Sequence, residues 1–334
     1  MSANTPILVI GAGSWGTALA LILARKGIDT YLYDSNSDHI ENLIRESCNS
    51  THLPGYPFPD QLHPVTSFSP LPEGVEDVVI VVPCEALREV LNQFKSFDLA
   101  GIKLCLACKG LEPNSLLLNN QVVAEILGNI PVAILSGPSF AGEVAAGLPT
   151  AVTIASTEQD TALHFAERFH DDFFRVYTHD DVIGVQIGGA VKNVMAIAAG
   201  ISDGLGFGAN ARSALITRGL AEIMRLGTAM GGRQETFMGL TGLGDLVLTC
   251  TDDQSRNRRF GLALAKGRSP EQAQKEINQA IEGIRTVGVV QELARTYNIE
   301  MPISEQVFKV IQGTTSAREA VQELLSRERK TEIE

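Results

Sequence analysis

Cysteine is scarce in this chain: five in 334 residues, at Cys48, Cys84, Cys105, Cys108 and Cys250. So thin and odd an allotment argues against a disulfide scaffold and favours a reducing compartment. Cys105 and Cys108 form a lone CxxC at the apolar run 102–107. If that run is a strand, positions three apart point to opposite faces and cannot chelate one metal, and no second pair accompanies them, so no metal is expected. Basic charge is also short, with 27 Lys and Arg against 39 Asp and Glu and a net charge of −12. That deficit argues against nucleic acid and anionic membrane as partners, since both need surplus cations on one face. It leaves room for a small anionic substrate held by a few local cations. Long apolar runs are missing as well. The nearly uncharged stretch 7–24 is broken by Gly11, Ala12, Gly13 and Gly16, and its charges, Arg25 and Lys26, follow rather than lead it. Neither an export signal nor a membrane span is expected, and the reading is a soluble, cytoplasmic protein.

What is present is ample core material, 44% hydrophobic against 20% charged residues. At ~150 residues per domain the length suggests about two domains. Residues 6–10 have strand composition, a glycine-rich turn follows, 17–26 reads as a helix ending at Gly27, and 30–33 reads as a second strand, which makes a βαβ unit. Further apolar runs at 78–82, 102–107, 132–135 and 151–155 lack polar alternation, as strands buried on both faces do. A mainly parallel, doubly wound sheet of the Rossmann type is expected. Beyond about residue 180 the apolar residues recur at threes and fours, in 189–201, 213–230, 270–281, 287–297 and 316–329, with glycine-rich connections at 202–210 and 239–245. The chain therefore divides into a dinucleotide-binding domain, 1–187, and an all-helical substrate-binding domain, 188–334, whose charged tail 327–334 is expected to fray.

Gly11, Gly13 and Gly16 sit between the first strand and its helix, the context in which GxGxxG has physical meaning. The first glycine permits the turn, the second lets a pyrophosphate approach the backbone, and the third lets helix and strand pack closely. The helix N-terminus then faces the phosphates. Asp34 follows the second strand directly, where a carboxylate can accept from a ribose 2′-hydroxyl and repel a 2′-phosphate. Ser35, Asn36 and Ser37 supply no offsetting cation, so NAD is favoured over NADP.

Three later segments place polar groups where packing alone would not. Lys109 lies at the carboxyl end of a predicted strand, the end at which open α/β sheets bind ligands. Lys192 and Asn193 interrupt an apolar helical run, and a lysine is costly to bury without a task or a partner. Finally, Asp245 and Thr249 lead to a basic helix start, Arg256, Arg258 and Arg259, suited to phosphate capture by guanidinium and backbone N–H. These features describe a pyridine-nucleotide enzyme with a small anionic substrate between two domains. A lysine would serve as its acid or base, its pKa lowered with help from a second cation.

The glycine fingerprint, Lys109-Gly-Leu-Glu, Ser136-Gly-Pro-Ser-Phe-Ala, Gly189-Ala-Val-Lys-Asn with Gly200, and Gly244-Asp-Leu with Ser255-Arg-Asn-Arg-Arg-Phe occur in order over essentially the whole chain. Together they resemble the bacterial NAD(P)-dependent glycerol-3-phosphate dehydrogenases. The resemblance implies interconversion of sn-glycerol 3-phosphate and dihydroxyacetone phosphate, feeding glycerophospholipid synthesis. It implies Lys192 as catalytic proton donor and acceptor, with Lys109 beside the reacting oxygens. Gly137, Ser139, Asp245, Ser255, Arg256 and Asn257 would complete the substrate site, with Asn193 and Thr249 as additional contacts. Ser14, Trp15, Ala141, Arg256 and Glu282 would line the dinucleotide, and Ala280 would reach it through backbone; Lys109 and, from their place after the second strand, Asp34 and Ser35 are counted with them. Ser139 stands where family members often carry Thr, which keeps the hydroxyl. The residues after the second strand vary within the family, so both NAD and NADP stay in the reading. Two other readings remain: a two-domain reductase of a hydroxy acid, which would not need the basic cluster, and a non-catalytic NAD-binding regulator, which would not need Lys109, Lys192 and Asp245 together. A homodimer is expected from the apolar helical half.

Overall fold

The computed structural model describes residues 5–113, 115–328 and 331. The last residues of the charged tail lie outside them. Ile7–Ile10 (β1), Ser14–Arg25 (α1) and Thr30–Tyr33 (β2) form the expected βαβ unit. Ser37–Glu46 (α2), a short ribbon of Cys48–Asn49 (β3) and Leu53–Pro57 (β4), and Leu62–Val65 (β5) follow. Asp77–Ile80 (β6), Cys84–Phe94 (α3), Lys103–Leu106 (β7), Asn119–Leu127 (α4) and Val132–Ser136 (β8) continue the winding. Ala141–Ala145 (α5), Thr150–Ala155 (β9), Gln159–Phe169 (α6) and Phe174–His179 (β10) complete it.

The sheet has eight strands in the order β10-β9-β8-β7-β6-β1-β2-β5, and every pair is parallel except β8 with β9. β1 and β6 are neighbours although the chain runs from β1 outward to β5 before returning. This is the switch point outside which open α/β sheets bind ligands. Gly11, Asp34, Lys109 and Gly137 all follow carboxyl ends of strands. Sequence reading missed both sheet edges, and composition is the reason: β5 carries His63 and Pro64, and β10 alternates polar exposed residues instead of forming an apolar run. Two apolar layers cover the two faces of the sheet. Cys105 belongs to one layer and Cys108 to the other.

The helical half begins with Val182–Gly204 (α7), followed by Gly208–Ala229 (α8), Gln234–Phe237 (α9), one π-helical turn at Leu240–Gly244, Asp245–Thr251 (α10) and Arg256–Ala265 (α11). Pro270–Ile277 (α12), Glu282–Thr296 (α13), Pro302–Ile311 (α14) and Ala317–Leu325 (α15) close it. The sequence reading did not anticipate α14. α7 is long and apolar enough by length and composition to cross a membrane, but Gln186, Lys192 and Asn193 interrupt it, and 94% of its apolar window is buried inside the protein. A helix apolar on every side belongs at the centre of a core, and α8, α10, α11 and α13 surround this one. Its first turn packs into the sheet layer through Val182 and Val185, and from Ile187 onward it belongs to the helical core. Residue 187 thus falls where one helix passes from one core to the other. Backbones cross closely there: a Cβ on Gly200 would lie 2.1 Å from the Arg258 carbonyl oxygen, and one on Gly261 2.1 Å from that of Ile197. This contact fixes the start of α11 against the helix that carries Lys192.

Candidate active site

The glycine turn after β1 is sterically committed. Gly11 has φ +110°, and a Cβ on Gly16 would lie 1.8 Å from the Gly11 carbonyl oxygen, whereas one on Gly13 would project into open space. A side chain is therefore excluded by packing at one position and leaves room for a ligand at the other. Asn49, from the β3–β4 ribbon, donates to the Ala12 carbonyl (2.9 Å) and to Thr17 Oγ1 (2.8 Å), bracing the turn from outside. Asp34 accepts from the Ala12 N–H (2.9 Å) and the Asn36 N–H (3.0 Å), which holds its carboxylate beside the turn, while Ser35 is exposed. The Ser14 hydroxyl donates to the His52 carbonyl (2.6 Å). His52 stacks edge-on to His39, with ring centroids 4.8 Å apart, and His39 reaches the Ala12 carbonyl. Burial and the neighbouring His39 hold His52 below the ordinary histidine range. Neither histidine was singled out from sequence, because the β3–β4 ribbon and α2 bring them to the turn from outside any motif.

Across the cleft, Asp245 is fully buried and accepts from both predicted lysines: Lys109 Nζ lies 3.0 Å from one oxygen, and Lys192 Nζ donates to the other. The π-helical turn before α10 sets Asp245 at the helix start. Thr249, one helical turn on, donates toward the same carboxylate (3.3 Å) and receives Lys192 at 3.0 Å. Lys109 Nζ also donates to the Gly137 carbonyl (2.7 Å), lies 3.4 Å from Ser139 Oγ, and stands 6.0 Å from the centre of the Trp15 ring. Lys109, Gly137, Ser139, Lys192, Asp245 and Thr249 thus form one connected group, with Trp15 at its edge.

Burial brings the Lys192 ammonium down to about 8, opposed by the Asp245 carboxylate and assisted by Lys109. The second cation contributes as expected from sequence, but desolvation is the larger cause. Glu282, at the start of α13, is drawn above the usual carboxylate range by burial, against the pull of Arg285 and Arg256. Burial lowers Arg256, which faces Glu282. Ala280 is exposed just ahead of α13.

At the α11 start the side chains are more committed than the sequence implied. Ser255 caps the helix, its hydroxyl accepting from the Arg258 N–H at 3.2 Å. Asn257 accepts from the Gly283 N–H (2.9 Å) and donates to Asn193 (2.9 Å). Free intrahelical acceptors are lacking for the first-turn N–H groups of Arg256 and Asn257, as at any helix start. The expected basic cluster is smaller than it reads. Arg258 is buried in ion pairs with Asp203 and Asp253 (2.8 Å to the latter), and Arg259 is exposed. Arg256 is half-buried, with Glu282 and Arg259 as its charged neighbours. A cavity of about 1030 Å³ between α8, α14 and α15 is lined by none of these residues.

Two family models match the chain: the NAD-dependent glycerol-3-phosphate dehydrogenase N-terminus over residues 6–162 and the C-terminus of the same enzyme over residues 181–322. The chain belongs to the NAD-dependent glycerol-3-phosphate dehydrogenase family. Within that family, a glycerol-3-phosphate dehydrogenase [NAD(P)+] of Nitrosococcus oceani is 52% identical over 330 residues, covering 98% of this chain and 96% of the relative. One from Coxiella burnetii is 51% identical over 327 residues, 98% of each. The crystal structure of a Coxiella burnetii glycerol-3-phosphate dehydrogenase superposes with a TM-score of 0.95 at 50% identity, covering 98% of this chain and all of that one.

Proposed function

We propose that this protein is a glycerol-3-phosphate dehydrogenase that interconverts dihydroxyacetone phosphate and sn-glycerol 3-phosphate with NAD or NADP, in the cytoplasm, toward glycerophospholipid synthesis. The observation that carries this reading is a buried lysine and a second lysine sharing one fully buried aspartate, opposite a glycine turn. The open space at Gly13 fits a dinucleotide phosphate, and Ser14, Trp15, Gly11, Gly16, Asp34, Ser35, Ala141, Arg256, Ala280 and Glu282 would hold the cofactor around it. When bound, that cofactor supplies or accepts the hydride.

The chain itself must manage a proton. A ketone reduced to an alcohol leaves an oxygen that needs one, and Lys192 Nζ holds it in the charged form at neutral pH. A lysine brought down to about 8 gives the proton up readily and, once neutral, can take it back from the alcohol in the reverse direction. Asp245 keeps the ammonium in place, and Lys109 adds positive charge where oxygen charge develops. For the phosphate, Arg256 supplies a guanidinium, and the α11 start supplies the backbone N–H of Arg256 and Asn257. Ser255 and Asn257 then act through the helix end they build. Gly137, Ser139, Asn193 and Thr249 shape the wall around the reacting carbons. We read residues 1–187 and 188–334 as the two domains and the molecule as a homodimer.

The test is NADH or NADPH oxidation on adding dihydroxyacetone phosphate. Turnover with phosphorylated but not unphosphorylated dihydroxyacetone is expected, and none with either cofactor overturns the reading. Asp34→Gly should raise the relative use of NADPH. An unchanged ratio would remove Asp34 as the discriminating residue.

A further inference from the structure

After Leu106 the chain leaves the sheet. The Ala107 N–H still pairs with the Ile80 carbonyl (2.9 Å), but β7 has ended, and the carbonyls of Cys108, Lys109 and Gly110 take no backbone donor among the described residues. The turn is buried around them, with Cys108 7% exposed. Buried carbonyls need donors. Here two side-chain amides provide them. Asn119, 1% exposed at the first position of α4, directs Nδ2 to the carbonyls of Cys108 (3.4 Å) and Gly110 (3.3 Å), on both sides of Lys109, and also lies 3.6 Å from Cys84 Sγ. Asn193 Nδ2, from α7, lies 3.5 Å from the carbonyl of Lys109 itself.

The orientation of the Asn119 amide follows from this. Turned over, its oxygen would face two carbonyl oxygens, so the nitrogen must point at the turn. Its own oxygen is buried with no hydrogen-bond partner among the described residues, so the side chain serves the turn by donating. The turn has little room to shift, since a Cβ on Gly110 would lie 2.9 Å from Cys84 Sγ and 3.5 Å from Glu282 Oε2.

We propose that Asn119 is a positioning residue for Lys109: by holding the carbonyls on either side of it, Asn119 sets where the lysine ammonium stands between Gly137, Asp245 and Trp15. The proposal rests on reading Lys109 as part of the substrate and cofactor site. Asn119 touches none of the reacting groups and acts only through the turn.

Trp15 is the single tryptophan of the chain and lies beside Lys109 Nζ, so its emission reads the placement of the lysine without any turnover. The experiment compares Asn119→Leu, close in volume but without donors, with Lys109→Met and the double variant. Kinetics with dihydroxyacetone phosphate, Trp15 emission and thermal melting would be recorded for each. Expected are a loss of about tenfold or more in kcat/KM for Asn119→Leu, as displacement of a site group produces, and an emission shift in the same sense as Lys109→Met. The double variant should be no worse than Lys109→Met alone, the signature of one residue acting through the other. Asn119→Ser, which keeps a donor on a smaller side chain, should recover part of both signals and carries the test if the leucine variant does not fold. Losses that multiply in the double variant, or a lowered melting temperature with unchanged kcat/KM and emission, would overturn the proposal. Absence of turnover in the unmodified enzyme would overturn the functional reading instead, and the emission comparison would still decide the placement of Lys109.

Discussion

Two buried aspartates in this molecule each hold two basic side chains, and they do different work. Asp77, 1% exposed at the amino end of β6, meets His164 Nε2 at 2.7 Å and Arg168 Nε at 3.1 Å, both from α6. Asp245, fully buried at the cleft, meets Lys109 and Lys192. Burial lowers both Arg168 and Lys192. Only the lysine comes within reach of neutral pH, because a guanidinium starts some two units higher and effectively never releases its proton. The first group ties a helix to the amino end of the sheet. The second, at the carboxyl side, can trade a proton. On the proposed reading, similar charge geometry gives a clamp in one place and a proton donor in the other, according to which cation sits in it.

The largest expected effect comes from turning the second group into the first. Lys192→Arg keeps a cation on Asp245 but removes the exchangeable proton, and Lys192→Ala removes both; each should lower kcat by ~10²-fold or more while NADH binding persists. Steady-state kinetics with a cofactor titration checks this, and retention of more than about a tenth of kcat in the arginine variant would contradict it. Next, Arg256→Ala should raise the KM for dihydroxyacetone phosphate by about tenfold or more and weaken discrimination against unphosphorylated dihydroxyacetone, since a charge-assisted bond is worth ~1.5–3 kcal/mol. A KM that stays put would move the phosphate elsewhere. Smallest in activity is Asp77→Ala. It leaves Arg168 buried without its carboxylate and should cost about 3–5 kcal/mol of stability, with kcat per folded molecule unchanged. Denaturant melts beside active-site titration separate the two, and a large fall in kcat at full folding would break the comparison.

Much of this was legible in the sequence because burial on both faces writes itself as apolar runs. β1, β2 and β6 to β9 were found that way, and the edge strands β5 and β10 were not, because an edge carries polar residues on its open side. Lys192 stood out because a charge inside an apolar helix is conspicuous. The commitment of Arg258 to Asp203 and Asp253 was hidden, since Asp203 lies 55 positions away and only the crossing of α7 and α11 brings it near. Asn119 was hidden for a related reason: an asparagine at a helix start is ordinary, and only the fold shows which carbonyls it serves.

The central claim is that Lys192 carries the proton, and the pH dependence of glycerol 3-phosphate oxidation tests it most directly. Above its pKa the lysine is neutral and can act as base, and below it is charged and cannot. The kcat/KM for oxidation should therefore rise with pH through a limb near 8 and level off above it, with reduction showing the opposite trend. A profile flat from about pH 6.5 to 9.5 would contradict the account.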